Sequence, residues 1–187
     1  MGNVKRIRRN NSVLVVIDLQ ERLMPAVYDG EAVEDAAVKL IKGFRILGAP
    51  ITVTQQYSKG LGATVAPVAE ALGDGSGFNP IEKTSFSAAG TPEFIKELES
   101  LNRRNVVICG IEAHVCVMQT ALDLLEAGYD VFIAADCVSS RKKSDKKIAL
   151  RRMETAGVTV STYEAILFEM LEGARESGFK QISGLVK

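Results

Sequence analysis

Cys116 stands in "NVVICGIEAHVCVMQTALDLL", residues 105–125, where an apolar run closes on Gly110 and a helical pattern begins. A cysteine in the first turn of a helix feels unpaired backbone N–H groups and the positive end of the helix dipole. Both favour the thiolate, which is the nucleophilic form. The same N–H groups can hold a developing oxyanion. On a helical projection Cys116 shares a face with Gln119, Thr120 and Asp123, opposite Met118, Ala121, Leu122 and Leu125. Packing alone does not call for a cysteine on that polar face. The competing reading, a cysteine buried under a loop, stands level with it. Cys109, inside "VVICGI", reads as a small buried hydrophobe.

A nucleophilic thiol needs a base. The only histidine, His114, lies two residues before Cys116, and positions two apart do not face each other on a helix. It reads as a packed or interface residue. Asp18 closes the apolar run Val13 to Ile17, where a carboxylate is costly to desolvate unless paired. Lys83, in "NPIEKTSFS", is a candidate pairing cation. Asp18 reads equally as a loop cap and Lys83 as a solvated surface lysine. Pattern alone does not bring either to Cys116.

The elements that would have to do so are legible. Val13–Ile17 is β-branched at four of five positions, which predicts a strand buried on both faces. Residues 50–54, 105–111, 130–136 and 158–162 are further strands. Helices are predicted over 31–47, 92–101, 115–127 and 144–156, with Thr91 and Ser144 as N-caps and Gly48, Gly128 and Gly157 as stops. Residues 55–80, rich in Gly, read as a long loop with a short helix near Val65–Leu72, and Lys83 falls where no regular pattern is visible. Strands alternating with helices predict βαβ crossovers: an α/β, Rossmann-like three-layer α/β/α sandwich with a mainly parallel sheet. Such sheets bind ligands beyond the carboxyl ends of their strands. Asp18 and Gln20, then Gln56 and Tyr57, then Gly110 to Cys116 are delivered there.

The whole chain, 1–187, is expected to be a single domain. Lys+Arg and Asp+Glu both number 23, so bulk charge gives no reason to expect nucleic acid or an anionic membrane as partner. No stretch reaches transmembrane length, no secretion signal is read at the N-terminus, and "MGNVKR" does not meet the myristoylation pattern. Three cysteines with no CxxC pair suggest free thiols in the cytoplasm and speak against structural zinc. GxGxxG and Walker patterns are absent after the first strand. The basic run "SRKKSDKKIALRR" reads as a solvated helix face. Asp136 reads as a loop cap.

Three segments, "VLVVIDLQERL", "IEKTSFSA" and "VVICGIEAHVCVMQTALDLLEAGYDVFIAADCVSSR", resemble the isochorismatase-like cysteine hydrolases, in order, from about residue 10 to 170. The family includes nicotinamidases and N-carbamoylsarcosine amidohydrolase. The resemblance is closest to its short isochorismatase-domain members. It implies a triad of Asp18, Lys83 and Cys116, in which Asp takes the thiol proton and later activates water, Lys stabilises the thiolate, and Cys attacks an amide-type carbonyl to give a thioester. It implies a non-proline cis peptide at Ile111–Glu112, with the backbone N–H groups of Glu112 and Cys116 as oxyanion hole. "TVTQQYSKGLG" lacks the metal-binding Asp and histidines of nicotinamidases, so no metal and no cofactor are expected. Cys116 speaks against the vinyl-ether chemistry of true isochorismatases, which lack it. Leu19, Gln20, Gln56, Tyr57 and Phe86 are candidate substrate contacts. The expectation is a cysteine hydrolase of a small amide or related C–N bond in a dimer or larger homo-oligomer. The alternative is a non-catalytic domain that binds a small ligand or a protein. A weaker third reading makes Cys137 a redox partner of Cys116.

Overall fold

A computed structural model of the chain describes residues 4–73 and 79–187. Six strands form one sheet: β1 (Ser12–Ile17), β2 (Ile51–Gln56), β3 (Ile81–Lys83), β4 (Asn105–Ile111), β5 (Asp130–Ser139) and β6 (Thr159–Ser161). Every pairing is parallel, in the order β3-β2-β1-β4-β5-β6. The alternation of β1 explains its unbroken apolar run. Leu14 and Val16 point into one core with α1 (Gly30–Ile46), α3 (Ala66–Leu72), α7 (Tyr163–Leu171) and α8 (Phe179–Leu185). Val13, Val15 and Ile17 point into the other, with α4 (Pro92–Ser100), α5 (Met118–Glu126) and α6 (Lys143–Ala156). The result is the expected three-layer α/β fold.

The sheet order fixes where a site can form. The chain winds outward from β1 to β3, then returns to place β4 on the other side of β1. The crevice beyond the ends of β1 and β4 is the topological switch point, where open parallel sheets take ligands. At the ends of the two strands Gly110 is paired with Ile17. It has φ +125°, and a Cβ there would lie 2.0 Å from the Ile17 carbonyl oxygen. No residue with a side chain fits between these strand ends.

Four local expectations are corrected. β3 is a strand where no pattern was visible, because it has only three residues and a single buried side chain, Lys83. The helix expected over 115–127 begins as a π-helical turn, Ala113–Val117, before α5. Ser144 is not an N-cap: α6 starts at Lys143, and Ser144 Oγ donates to Asp145 Oδ1 at 3.3 Å. The loop after β2 holds a short helix, α2 (Ser58–Leu61), besides α3. The middle of that loop, 74–78, and the first three residues of "MGNVKR" lie outside the described residues.

Candidate active site

Asp18 is the first residue past β1, in left-handed backbone conformation at φ 52°. Lys83 is the last residue of β3, with β2 between them. Both side chains are 0% exposed, and Lys83 Nζ lies 2.7 Å from Asp18 Oδ2. Thr54 of β2 donates its hydroxyl to Asp18 Oδ1 at 2.8 Å. Lys83 Nζ donates to Gln56 Oε1 at 2.6 Å and to the carbonyls of Ser85 and Phe86, each at 3.2 Å. Cys116, in the π turn that follows β4, lies near enough to Asp18 and Lys83 for both charges to act on its thiol. Residues far apart in sequence thus meet at the switch point, Asp18 and Lys83 fully buried and Cys116 at 7% exposure.

The helical projection misplaced Cys116. Ala113, Cys116, Val117, Thr120, Ala121 and Leu124 form the buried face, while Leu122 and Leu125 are only half-buried. A π turn takes more residues per turn than an α-helix, so it shifts the phase of everything before it. Thr120 looks polar but is buried, accepting the Ala88 N–H at 2.8 Å.

The protonation state also departs from expectation. Burial, with the Asp18 charge beside it, pushes the Cys116 thiol up to about 12, against a smaller opposing pull from Lys83. Burial also raises the Asp18 carboxyl above its ordinary range, opposed first by the Lys83 charge and then by the polar Lys83, Thr54 and Cys116 side chains around it. Burial thus favours the neutral thiol at Cys116 over a standing thiolate.

The candidate substrate contacts divide. Leu19 is 1% exposed in the core on the opposite sheet face. Gln20 is fully buried, bonded through both ends of its amide to the backbone of Gln56 and Gly62. Neither offers a surface to a substrate. Gln56 is held by Lys83 and, through Nε2, by the Thr84 carbonyl at 2.9 Å. Tyr57 and Phe86 are exposed aromatics flanking Lys83. The Tyr57 N–H donates to the Lys83 carbonyl at 3.0 Å, and the Phe86 carbonyl accepts from Nζ.

The Ile111–Glu112 peptide is cis. The Glu112 carboxylate pairs with Arg141 at 3.2 Å. His114 Nδ1 shares a hydrogen bond with Ser140 Oγ at 2.9 Å, away from Cys116. Asp136 takes the Tyr163 N–H at the start of α7. Cys137 and Cys109 sit in the core on the other face of the sheet from Cys116, so the redox pairing has no structural route. Among the described residues no three His, Cys, Asp or Glu side chains are grouped to hold a metal ion, and no helix is long and apolar enough to cross a membrane.

Sequence reasoning missed Thr54 and the role of Gln56. Its one available signal was "TVTQQ": polar residues at every second position of a buried strand, all on one face.

This strand order, with a buried Asp–Lys–Cys group at its switch point, defines a Rossmann-like α/β domain built around a thiol. The isochorismatase domain profile matches residues 12–165. Isochorismatase domain-containing protein 2 of Danio rerio is 38% identical over 187 residues, spanning 100% of this chain and 92% of that protein. The MAR1 ribonuclease from Caenorhabditis elegans matches with a TM-score of 0.90 at 39% identity, covering 97% and 92% of the two chains. YcaC of Escherichia coli, described as an octameric hydrolase of unknown specificity, matches with a TM-score of 0.89 at 22% identity, covering 99% and 89%. That last likeness speaks to the fold alone. The chain belongs to the isochorismatase family and has its hydrolase fold.

Proposed function

We propose that this protein is a metal-free cysteine hydrolase of a small amide or related C–N bond, with Asp18, Lys83 and Cys116 as its catalytic group. The observation that carries the reading is the Cys116 thiol beside a buried, ion-paired Asp18 carboxylate. As Sγ attacks the substrate carbonyl, its proton passes to Asp18 Oδ2. The backbone N–H groups of Glu112 and Cys116 hold the oxyanion. The C–N bond then breaks, Asp18 returns the proton to the leaving nitrogen, and a thioester remains. Asp18 next takes a proton from water as it attacks the thioester, and releases it to Sγ as the acid departs. The Lys83 ammonium, 2.7 Å from Oδ2, sets a positive charge against the buried Asp18 carboxyl and so favours its ionised form. A pure binding domain gains nothing from a carboxylate buried against a thiol, since both raise the cost of folding.

The test is a panel of small amides, ureides and carbamates scored by ammonia or amine release, with the Cys116 acyl adduct sought by mass. An RNA oligonucleotide belongs in the panel because the C. elegans neighbour carries the name ribonuclease. Saturable ligand binding with no turnover and no adduct overturns the reading. Three free buried cysteines suit a reducing cytoplasm, and a homo-oligomer, dimer or larger, is part of the proposal.

Alkylation by iodoacetamide tests the base directly. The rate at Cys116 is expected to follow Asp18 ionisation, with a midpoint above 3.8, and then to run flat to about pH 9. In Asp18→Asn it should climb roughly tenfold per pH unit through the same range, since only hydroxide then takes the proton. Identical profiles for the two proteins would remove Asp18 as the base.

A further inference from the structure

Lys83 has more acceptors than protons. Its ammonium carries three N–H bonds, yet four oxygens surround it: Gln56 Oε1 at 2.6 Å, Asp18 Oδ2 at 2.7 Å, and the carbonyls of Ser85 and Phe86 at 3.2 Å. The contacts with hydrogen-bonding geometry run to Gln56, Ser85 and Phe86. Asp18 Oδ2 lies off the hydrogen-bonding direction and is the one fully buried side-chain polar atom, among the described residues, with no hydrogen-bond partner. The other carboxylate oxygen is occupied by Thr54. Oδ2 therefore meets Lys83 chiefly as a charge at 2.7 Å, in competition with three other acceptors for its protons.

We infer that Gln56 is a positioning residue that draws a Lys83 proton away from Asp18, so that Oδ2 remains a base for the Cys116 thiol. Its amide cannot turn over to present nitrogen instead. Nε2 donates to the Thr84 carbonyl, and the Gln56 backbone N–H donates to Gln20 Oε1 at 2.7 Å, which fixes the residue at its root. Gln20 in turn is tied to the Gln56 and Gly62 carbonyls. Thr54 and Gln56 are two apart on β2, on one face, between the strands that carry the acid and the cation. One fixes which carboxylate oxygen is free and the other keeps it free. The titratable groups facing Asp18 are Lys83 from β3 and Cys116 from the π turn. Glu82, Glu112 and His114 are engaged by Ser58, Arg141 and Ser140.

The inference rests on the reading of Asp18 as the thiol's base, and iodoacetamide separates the two without any substrate. In Gln56→Met the freed Lys83 proton turns to Oδ2, and the acid limb of Cys116 alkylation is expected to move about one pH unit lower, with a slower plateau. In Gln56→Glu the acceptor is kept and a negative charge is added, so the limb is expected to stay or move higher. Opposite responses of the two variants are the signature, because a merely structural role would slow both without moving the limb. Limbs that coincide with wild type in both variants, or shift alike, overturn the role of Gln56 while leaving Asp18 as base. A wild-type profile indifferent to Asp18→Asn overturns both.

Discussion

Cys116→Ala is expected to lower turnover of any amide substrate by at least about 10³-fold, because nothing else in the buried site can form the acyl intermediate. The side chain lost is small and sits beside a carboxylate that raises its pKa, so the melting temperature should hold or rise slightly. Progress curves on the best substrate of the panel, with circular dichroism of the same samples, make the comparison. An active Cys116→Ala variant would be fatal to a thioester route. Cys116→Ser adds discrimination: a binding domain would keep its affinity unchanged, whereas a hydrolase keeps affinity and loses rate.

The second large effect concerns stability. Lys83→Met removes the cation from a carboxylate that is 0% exposed, and is expected to cost about 3–5 kcal/mol at neutral pH. The sign of its pH dependence follows from burial. Without Lys83 the Asp18 carboxyl rises further above its unfolded value, so the folded state holds a proton that the unfolded chain gives up. Its contribution is whole below the unfolded carboxylate range and is lost as pH rises through the folded value. Urea midpoints should therefore place the Lys83→Met deficit at its smallest in mild acid and growing toward neutrality. The double variant Asp18→Asn, Lys83→Met should regain much of the loss, since two neutral groups then replace a stranded charge. A deficit independent of pH, or no recovery in the double variant, would mean that Lys83 acts through packing rather than charge.

What could be read beforehand follows the range of the forces involved. Strands buried on both faces write themselves as continuous apolar runs, so β1 and β4, and with them the switch point, were legible. The order Asp18, Lys83, Cys116 was legible through resemblance, but their meeting was not, since it depends on strand order. β3 escaped because three residues with one inward side chain make no period. The orientation of Cys116 was misread because a projection assumes α geometry and the chain adopts a π turn there. The helix-terminus argument counted the dipole but could not see the burial, which pushes the Cys116 thiol up. Gln20 and Gln56 looked alike as polar residues after strands. Only the hydrogen bonds show that one anchors backbone and the other holds the lysine.

The parallel register of β1 against β4, Ser12 beside Asn105 through Ile17 beside Gly110, has a consequence in time as well as space. A ribosome must deliver more than half the chain before β1 can find this neighbour, and the loop closed is long. Pairings of that span raise contact order and slow folding. The proximity of Asp18 to Cys116 is created only by this closure. In refolding from urea, base-assisted alkylation of Cys116 should therefore return with the slowest global phase, after helical signal has recovered. The molecule gains its chemistry last, and an unfinished chain carries an ordinary thiol.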